Sequence, residues 1–229
     1  MNGTLKGKLW VVSTPIGNLE DITFRAVRVL KEVSVILAED TRRTRNLLKS
    51  LEIEGKRLIS FNTQNQDRRV PLALSILEEG KDIALVSDAG TPVVSDPGSK
   101  LISKCQEQRI EVDLVPGPSA VTSAVALSGF PGSHFVFFGF LPRGKNRRRL
   151  FRKIADGLYD SALVVFFESP QRLKDSLQDW LEIVGDRECF IARELTKLHQ
   201  ELRRGKVSEV LDSLPEQIRG EITVVISGW

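Results

Sequence analysis

The sequence is poor in histidine and cysteine. Its 229 residues include two histidines, His134 and His199, and two cysteines, Cys105 and Cys189. So few imidazoles argue against a histidine-based catalytic triad and against a histidine-rich metal site. The cysteines form no Cys-x-x-Cys pair, so neither a zinc site nor any other metal is expected. Separated cysteines are typical of a reducing compartment, and the expected location is cytoplasmic.

Long apolar runs and several familiar fingerprints are missing as well. No window approaches the ~20 apolar residues of a membrane span, so no association with a membrane is expected. No GxGxxG follows the first apolar run, and there is no GxxxxGK[ST] loop. These absences argue against an ordinary dinucleotide site and against a P-loop. The HExxH, GxSxG and protein-kinase patterns are also absent, which argues against those hydrolase and kinase classes.

The first half of the chain alternates short β-rich runs with amphipathic helical patterns. The predicted strands are Leu9–Val12, Val33–Leu37, Arg57–Ser60, Ile83–Ser87 and Glu111–Val115. The predicted helices are Ile22–Lys31, Thr44–Leu51, Val70–Glu79 and Lys100–Gln108. Such alternation favours an α/β domain with a largely parallel sheet.

The pattern changes at VPGPSA. Two prolines in three residues bar a helix before Ser119, which is well suited to start the helix in AVTSAVALSG. Further strands are predicted at His134–Phe140, Ser161–Phe167, Glu188–Arg193, His199–Arg204 and Glu221–Ser227, and further helices at Asn146–Ala155 and Gln171–Ile183. The last two strands are expected to be antiparallel neighbours. The predicted fold class is α/β with two domains, residues 1–117 with a mostly parallel sheet and residues 118–229 with a mixed sheet.

Polar, turn-forming segments follow the predicted strands. They are STPIGNLED, AEDTRRTR, DAGTPVVSDPG, VPGPSA, ESPQR and ARELTKLH. Ligands of open α/β sheets gather at the carboxyl ends of strands, so these segments are expected to converge on one rim, at a cleft between the domains.

Three of these segments have a simpler interpretation. The longest, Val86–Ser99, is either a wide loop in which Asp96 caps the next helix or a stiff backbone cradle for a small molecule. In AEDTRRTR, Asp40 or Thr41 is a candidate helix cap. In ARELT, Arg193 and Glu194 are a candidate ion pair.

A basic tract stands out although the whole chain nearly balances 33 basic against 30 acidic residues. Seven basic side chains and no acid lie between Arg143 and Lys153, which predicts a phosphate-binding surface. The adjoining Phe135, Phe137, Phe138 and Phe140 have the spacing of a strand, which favours packing in the core over stacking on bases. Phe140 is singled out as the candidate exception. The residues alone therefore favour an enzyme that modifies a nucleic acid with a bound cofactor.

Eight motifs in order carry a resemblance over nearly the whole chain. They are TPIGNLEDIT, AEDTRRT, LVSDAGTPVVSDPG, VPGPSA, GFLPRGK, FFESPQRL, ARELTKLH and RGEI. Together they resemble the ribosomal RNA small-subunit methyltransferase I family, within the tetrapyrrole methylase superfamily. The resemblance implies 2′-O-methylation of a cytidine ribose in the decoding region of 16S rRNA, with S-adenosylmethionine as donor. It also implies that the partner is 16S rRNA or the small ribosomal subunit and that the protein is a homodimer.

The resemblance further implies site residues. The donor would be bound by Pro15, Asp88, Gly90, Thr91, Pro92, Val93, Ser119, Ala120, Phe167, Leu195, Glu221, Ile222 and Thr223. Candidates for catalysis are Glu39, Asp40, Asp96, Glu168, Arg193 and Glu194, with Asp40 or Asp96 favoured as the base that accepts the ribose proton. RNA contacts are expected from Arg42, Arg43, Arg45, Arg143, Lys145, Arg147, Arg148 and Arg149.

Two other functions remain open at this point. One is a methylase of a small tetrapyrrole intermediate, which would have little need of an extended basic tract. The other is a non-catalytic RNA-binding or assembly protein that retains the fold. The first is tested by the substrate that accepts the methyl group, and the second by whether donor binding is accompanied by any methyl transfer.

Overall fold

The computed structural model describes residues 5–132, 134–159 and 161–228. The chain divides into two compact units, of which the first ends at Ser119 and the second begins at Ala120. The predicted boundary lies two residues earlier in the chain. Met1 and Trp229, the outer ends of the two predicted domains, lie outside the described residues.

The first unit has a five-stranded sheet in which every strand pair is parallel, as predicted. Its strands are β1 Leu9–Val12, β2 Val35–Ala38, β3 Arg57–Ser60, β4 Ile83–Val86 and β5 Val112–Val115. Their order in the sheet is β3-β2-β4-β1-β5. The register aligns Leu9 with both Ile83 and Val112. Parallel pairing places the carboxyl ends of all five strands at one edge.

Helices cover both faces of this sheet. They are α1 Phe24–Glu32, α2 Thr41–Ser50, α3 Gln66–Glu78 and α4 Ser99–Glu107. Alternate residues of β2 enter opposite cores: Leu37 packs with residues of α3 and α4, whereas Ile36 packs with residues of α1 and α2. Burial on both faces is the reason that β2 and β4 read as uninterrupted apolar runs.

Helix α3 begins earlier than its apolar pattern indicates. It starts at Gln66 and contains Pro71, whereas the apolar pattern places its start at Val70. The side chain of Asn62 accepts hydrogen bonds from the amides of Gln64 and Asn65, both at 3.1 Å. This polar turn supports a helix start upstream of the first apolar residue.

The second unit has a mixed five-stranded sheet. Its strands are β6 Phe135–Phe140, β7 Leu163–Glu168, β8 Glu188–Arg193, β9 Glu201–Lys206 and β10 Ile222–Ile226. Their order is β6-β7-β10-β8-β9. Strands β6 and β7 are parallel, and the remaining pairs are antiparallel. The prediction that the last two strands are neighbours is wrong, because β9 forms a hairpin with β8 and β10 lies between β7 and β8.

The helices of the second unit are α5 Ala120–Ser128, α6 Lys145–Ala155, α7 Pro170–Ile183 and α8 Val207–Ser213. Three of them, α6, α7 and α8, pack on one face of the sheet around Phe151, Phe166 and Trp180. Helix α5 lies against β7, β8 and β10 and contributes no residue to that core. Helix α8 was not predicted from the sequence. Its start is stabilised by Glu209, whose carboxylate accepts a hydrogen bond from the amide of Lys206 at 3.0 Å.

Candidate active site

Three loops of the first unit are tied together at the carboxyl ends of β1, β4 and β5. Thr14 and Gly90 exchange two backbone hydrogen bonds, of 2.9 and 3.0 Å. Ser13 Oγ lies 3.0 Å from Thr91 Oγ1, and Thr91 Oγ1 donates to the carbonyl oxygen of Pro118 at 3.4 Å. The predicted donor segments that begin with TPIG, SDAGTP and VPGP therefore meet on one rim.

The segment after β2 reaches the same rim. The backbone amide of Asp40 donates a hydrogen bond of 2.9 Å to Oδ1 of Asp88. The guanidinium of Arg43 lies 3.6 Å from Oδ2 of the same carboxylate. Asp88 therefore joins AEDTRRT to SDAGTP, and four of the predicted motifs converge within this unit.

The long loop after β4 has an unusual backbone. Gly90 and Gly98 have positive φ angles of 80° and 137°, and so do Val93 and Ser95, at 75° and 69°. A positive φ is costly for a β-branched residue such as Val93, and such outliers cluster at ligand-binding sites. A Cβ atom at Gly98 would lie 2.7 Å from Cδ2 of Leu85. The backbone passes so close to β4 that only glycine fits there.

Gly98 also precedes helix α4 directly. The helix begins at Ser99 with Gly98 as its N-cap and has no side-chain cap. The interpretation of Asp96 as the cap is therefore wrong. Asp96 instead lies beside Ser87, at the end of β4, and the hydroxyl of Ser87 donates to the carbonyl oxygen of Ala89 at 3.3 Å.

Three carboxylates approach one another on this rim and influence each other's proton affinity. Burial, and then the negative charge of Glu39, raise the pKa of Asp96 to about 6. Burial, and then the charge of Asp88, raise the pKa of Glu39. A carboxylate with a pKa near 6 accepts a proton far more readily than an exposed one, and at neutral pH it remains largely ionised.

Asp40 has the opposite environment. Its side chain caps α2 by accepting the amide of Arg42 at 2.8 Å, and it is paired with the guanidinium of Arg42 at 2.7 Å. The hydrogen bonds from Arg42 hold the pKa of Asp40 well below its ordinary value. The capping interpretation of Asp40 is confirmed, and its low basicity makes it a weaker candidate for proton transfer than Asp96.

The predicted donor residues of the second unit have varied surroundings. Phe167 is half-buried and lies opposite Thr223 in the β7–β10 register. Thr223 and Leu195 are buried, and Ile222 belongs to the core beneath the sheet. The carboxylate of Glu221 accepts a hydrogen bond from Lys197 at 3.1 Å. Ala120 is the first residue of α5. The other predicted donor residues, Pro15, Pro92 and Ser119, belong to the first unit and lie in the loops that follow β1, β4 and β5.

Arg193 and Glu194 are not partners of each other. Arg193 Nε donates to Glu201 at 2.9 Å, and Lys197 donates to Glu194 at 2.8 Å. The interpretation of these neighbours as one ion pair is therefore wrong. The reason is that Glu201 lies opposite Arg193 on β9, whereas Lys197, three residues after Glu194, pairs with Glu194.

Two further candidates belong to a buried polar network. The side chain of Glu168 is fully buried and pairs with Arg172 at 2.5 Å. It also accepts hydrogen bonds from Ser176 Oγ at 2.6 Å and from the amide of Ser169 at 2.7 Å. With every near partner supplied by the protein, Glu168 is placed to hold α7 against β7 rather than to exchange protons with a substrate.

Arg147 joins the same network from α6. It donates to Ser176 Oγ at 3.0 Å and to Asp179 at 2.7 Å, and its side chain is 8% exposed. Arg148 is half-buried and pairs with Asp179 and with Glu182. The expectation that Arg147 contacts phosphate therefore conflicts with its burial, because this guanidinium faces the protein interior.

The remaining predicted RNA contacts are exposed. Arg42, Arg43 and Arg45 lie on the first turns of α2, and Arg143, Lys145 and Arg149 lie at and after the start of α6. Two side chains that their spacing places in the core are exposed, Phe135 at 40% and Phe140 at 61%. For Phe140 the sequence signal is the adjacent Gly139, whose φ is 62°.

Residues 5–132, 134–159 and 161–228 contain no group of three or more His, Cys, Asp or Glu side chains that could hold a metal ion. Within the same ranges, no helix is both long enough and apolar enough to span a membrane.

The parallel sheet of the first unit, the mixed sheet of the second and the polar rim define an α/β protein of two units. The family described as Tetrapyrrole (Corrin/Porphyrin) Methylases matches residues 8–211, and the chain belongs to this family. Two curated proteins with similar sequences are each named Ribosomal RNA small subunit methyltransferase I. The one from Thermotoga maritima is 60% identical over 97% of this chain and 99% of its own length. The one from Halalkalibacterium halodurans is 45% identical over 97% of this chain and 76% of its own length.

Solved structures agree with this assignment at the level of the fold. The crystal structure of the methyltransferase CobJ superposes with a TM-score of 0.71. It covers 96% of this chain and 94% of its own, at 22% sequence identity. The predicted fold class is thereby confirmed.

Proposed function

We propose that this chain transfers a methyl group from S-adenosylmethionine to the ribose 2′-oxygen of a cytidine in the decoding region of 16S rRNA. The observation that carries the proposal is the relative from Thermotoga maritima, 60% identical over almost the full length of both chains. Its name specifies a small-subunit ribosomal RNA methyltransferase. The ribose and the cytidine rest on the motif resemblance.

The rim residues fit the methyl donor. S-adenosylmethionine carries an ammonium, a carboxylate and ribose hydroxyls, and when bound it supplies a methyl group on a sulfonium sulfur. The rim offers the carboxylate of Asp88, the hydroxyls of Ser13 and Thr91, and the backbone of Gly90. A Cβ at Gly90 would lie 3.4 Å from Cγ2 of Ile16, so the turn is already closely packed on that side. A rigid loop favours the fixed orientation that an in-line displacement needs.

Asp96 is the proposed general base. A neutral ribose hydroxyl is a poor nucleophile, and its oxygen must lose a proton as the new O–C bond forms and the S–C bond breaks. That proton passes to the carboxylate of Asp96, whose pKa of about 6 suits this role. Glu39 contributes by keeping the pKa of Asp96 raised. Asp40 is assigned to the cap of α2, and Glu168 to the buried network.

The proposed RNA surface consists of exposed basic side chains on each unit. Arg42, Arg43 and Arg45 supply it on α2, and Arg143, Lys145 and Arg149 supply it around the start of α6. The proposal omits Arg147, because its guanidinium is committed to Ser176 and Asp179. Phosphate contacts by exposed Arg and Lys give binding that weakens as salt rises.

The test is methyl transfer from labelled S-adenosylmethionine to small ribosomal subunits that lack the modification. The labelled RNA is digested with nuclease, and the modified nucleoside is identified by mass spectrometry. Label on one cytidine 2′-oxygen is the expected result. Donor binding without any label would contradict the enzyme and favour an RNA-binding protein that retains the fold. Label on a tetrapyrrole, and none on RNA, would favour the other methylase class.

Two companion proposals rest on the same resemblance. We propose that the protein is a homodimer and that it acts in the cytoplasm, where small subunits are assembled. Sedimentation velocity tests the first: a single species with the mass of one chain would contradict it. Fractionation of cells that produce the protein tests the second, with recovery in the membrane fraction as the contradicting result.

A further inference from the structure

A β-bulge changes the direction of one aromatic side chain on edge strand β6. The register pairs Phe137 with Val165 and Phe140 with Phe167. Three steps along β6 thus correspond to two steps along β7, so β6 contains one extra residue. Gly139, with a φ of 62°, lies in this interval. Without the bulge, Phe140 would share a face with Phe138, because side chains alternate along a strand. With the bulge it shares a face with Phe137 instead.

The rings confirm this change of face. Phe137 and Phe140 both contact Phe167, with centroid distances of 4.9 and 5.6 Å. Phe138 packs on the opposite face against Tyr159, at 5.3 Å. Phe140 is supported on one side by Phe167 and is 61% exposed on the other. An apolar ring of this size is thereby presented to solvent beside a second ring.

The chain directly after Phe140 is firmly held. Leu141 is 2% exposed, and its carbonyl oxygen accepts a hydrogen bond of 3.0 Å from Arg172. Arg172 is itself fixed by the buried carboxylate of Glu168, to which its Nε donates at 2.7 Å. The exposed ring is therefore attached to an anchored backbone, so little conformational freedom is lost when a flat partner stacks on it.

Positive charge lies close to this ring. Arg143 follows Phe140 by three residues and Lys145 by five, so their Cα atoms lie within about 11 Å and about 18 Å of that of Phe140. Both side chains are exposed. From Phe140 to Ala155 the sequence contains no acidic residue. An exposed ring next to exposed positive side chains is the combination that binds single-stranded nucleic acid.

We propose that Phe140 stacks on an unpaired base of the RNA, while Arg143 and Lys145 contact the neighbouring phosphates. The inference rests on the proposed function, because it takes RNA as the substrate. It adds a positioning residue that the aromatic spacing in the sequence assigns to the core. Bases in a duplex are stacked on each other, so this contact requires a loop, a bulge or a strand end.

The experiment compares three variants of the full chain by fluorescence anisotropy. Phe140→Ala removes the ring, and Phe140→Trp retains a stacking surface. Phe135→Ala is the matched control, because Phe135 begins the same strand and is 40% exposed. The probes are a short labelled single-stranded RNA of mixed sequence, the same strand annealed to its complement, and a strand of the same length whose central nucleotides lack bases. Calorimetric titration with S-adenosylmethionine is the second readout.

We expect Phe140→Ala to weaken binding of the single strand by about 5-fold to 100-fold, the range for one stacked base. Binding of the duplex, of the abasic strand and of S-adenosylmethionine should not change. Phe140→Trp and Phe135→Ala should bind like the unsubstituted protein. Thermal melting checks that each variant is folded.

Three results would overturn the inference. If Phe140→Ala binds the single strand with unchanged affinity, the ring does not contact a base, although the proposed function would stand. If only the affinity for S-adenosylmethionine falls, the ring contacts the donor's adenine instead. If the unsubstituted protein binds none of the RNA probes and also fails to methylate small subunits, the proposed function fails together with the inference.

Discussion

The backbone amide of Asp40 donates a hydrogen bond of 2.9 Å to Oδ1 of Asp88. This contact joins the residue that caps α2 to the residue that opens the long loop after β4. The two segments are 48 residues apart in sequence, and they meet because β2 and β4 are adjacent parallel strands. The contact fixes the cap of α2 against the loop that carries Asp96, the residue proposed as the general base.

Replacing Asp96 tests its role as the base. Asp96→Asn keeps the size of the side chain but removes the proton acceptor, and we expect the rate of methyl transfer to fall by about 10²- to 10⁴-fold. Affinity for S-adenosylmethionine, measured by calorimetry, should be retained. Asp40→Asn is the matched control, because asparagine also caps helices, and it should keep most of the activity. Equal losses in both variants would contradict the assignment.

The pH dependence of methyl transfer tests the same assignment. The base must be ionised to accept a proton, so the single-turnover rate should rise as the pH increases through about 6, the pKa of Asp96. Glu39→Gln removes a negative charge that raises this pKa, and the rise should therefore move to lower pH. A rise that stays in place in Glu39→Gln would show that another group controls the rate.

Arg147→Ala and Arg149→Ala form a pair with opposite expected effects. Arg147 is buried and paired with Asp179 at 2.6 Å, so Arg147→Ala should lower the free energy of unfolding by roughly 3 kcal/mol. This value is at the low end for a buried pair, because Arg148 still neutralises Asp179. Arg149→Ala should leave stability unchanged and should reduce the slope of log K against log salt by about 1.

Urea titration measures the stabilities of this pair, and RNA binding at several salt concentrations measures the slopes. A reduced slope in a fully stable Arg147→Ala protein would contradict the buried role of Arg147. An unchanged slope in Arg149→Ala would remove Arg149 from the proposed RNA surface.

The strained loop after β4 makes a further prediction. In Gly98→Ala the new Cβ would lie 2.7 Å from Leu85 Cδ2 and 2.9 Å from Val93 Cγ2, at a φ of 137°. We expect a loss of roughly 2–4 kcal/mol in the free energy of unfolding and a weaker affinity for S-adenosylmethionine.

Gly55→Ala is the control for this substitution. Gly55 has a φ of 71°, but a Cβ there would meet no atom within 4 Å. It should lose only about 1 kcal/mol, with no change in donor affinity. Equal effects of the two substitutions on stability would show that the contacts of Gly98 with Leu85 and Val93 are unimportant.

Some features of this protein follow from local sequence. Strands β1, β3 and β8 occur at the predicted residues, because short β-rich runs bounded by turn formers leave few alternatives. Gly129 follows the last residue of α5 and has a φ of 63°, as a glycine at a helix end commonly does. The convergence of TPIG, AEDTRR, SDAGTP and VPGP follows from the strand pattern, since parallel strands share one edge for their carboxyl ends.

Other features depend on contacts between distant segments. The sequence of the basic tract predicts one exposed surface. The side chain of Arg147 is nevertheless buried, because α7 brings Ser176 and Asp179 next to it. The aromatic spacing predicts a buried Phe140, yet one extra residue in β6 moves its ring to the other face. Asp40 and Asp96 are the same residue type, in segments that follow the adjacent parallel strands β2 and β4. Arg42 lowers the pKa of one, while burial and Glu39 raise that of the other.

The sequence by itself therefore determined the fold class, the order of the motifs and the family. Tertiary structure decided which side chains of those motifs reach solvent and which carboxylate has a raised pKa. The reason is physical. Secondary structure and parallel pairing follow from the periodicity of apolar residues, a local property. Exposure and proton affinity depend on the groups that pack around a side chain, and folding brings these from elsewhere in the chain.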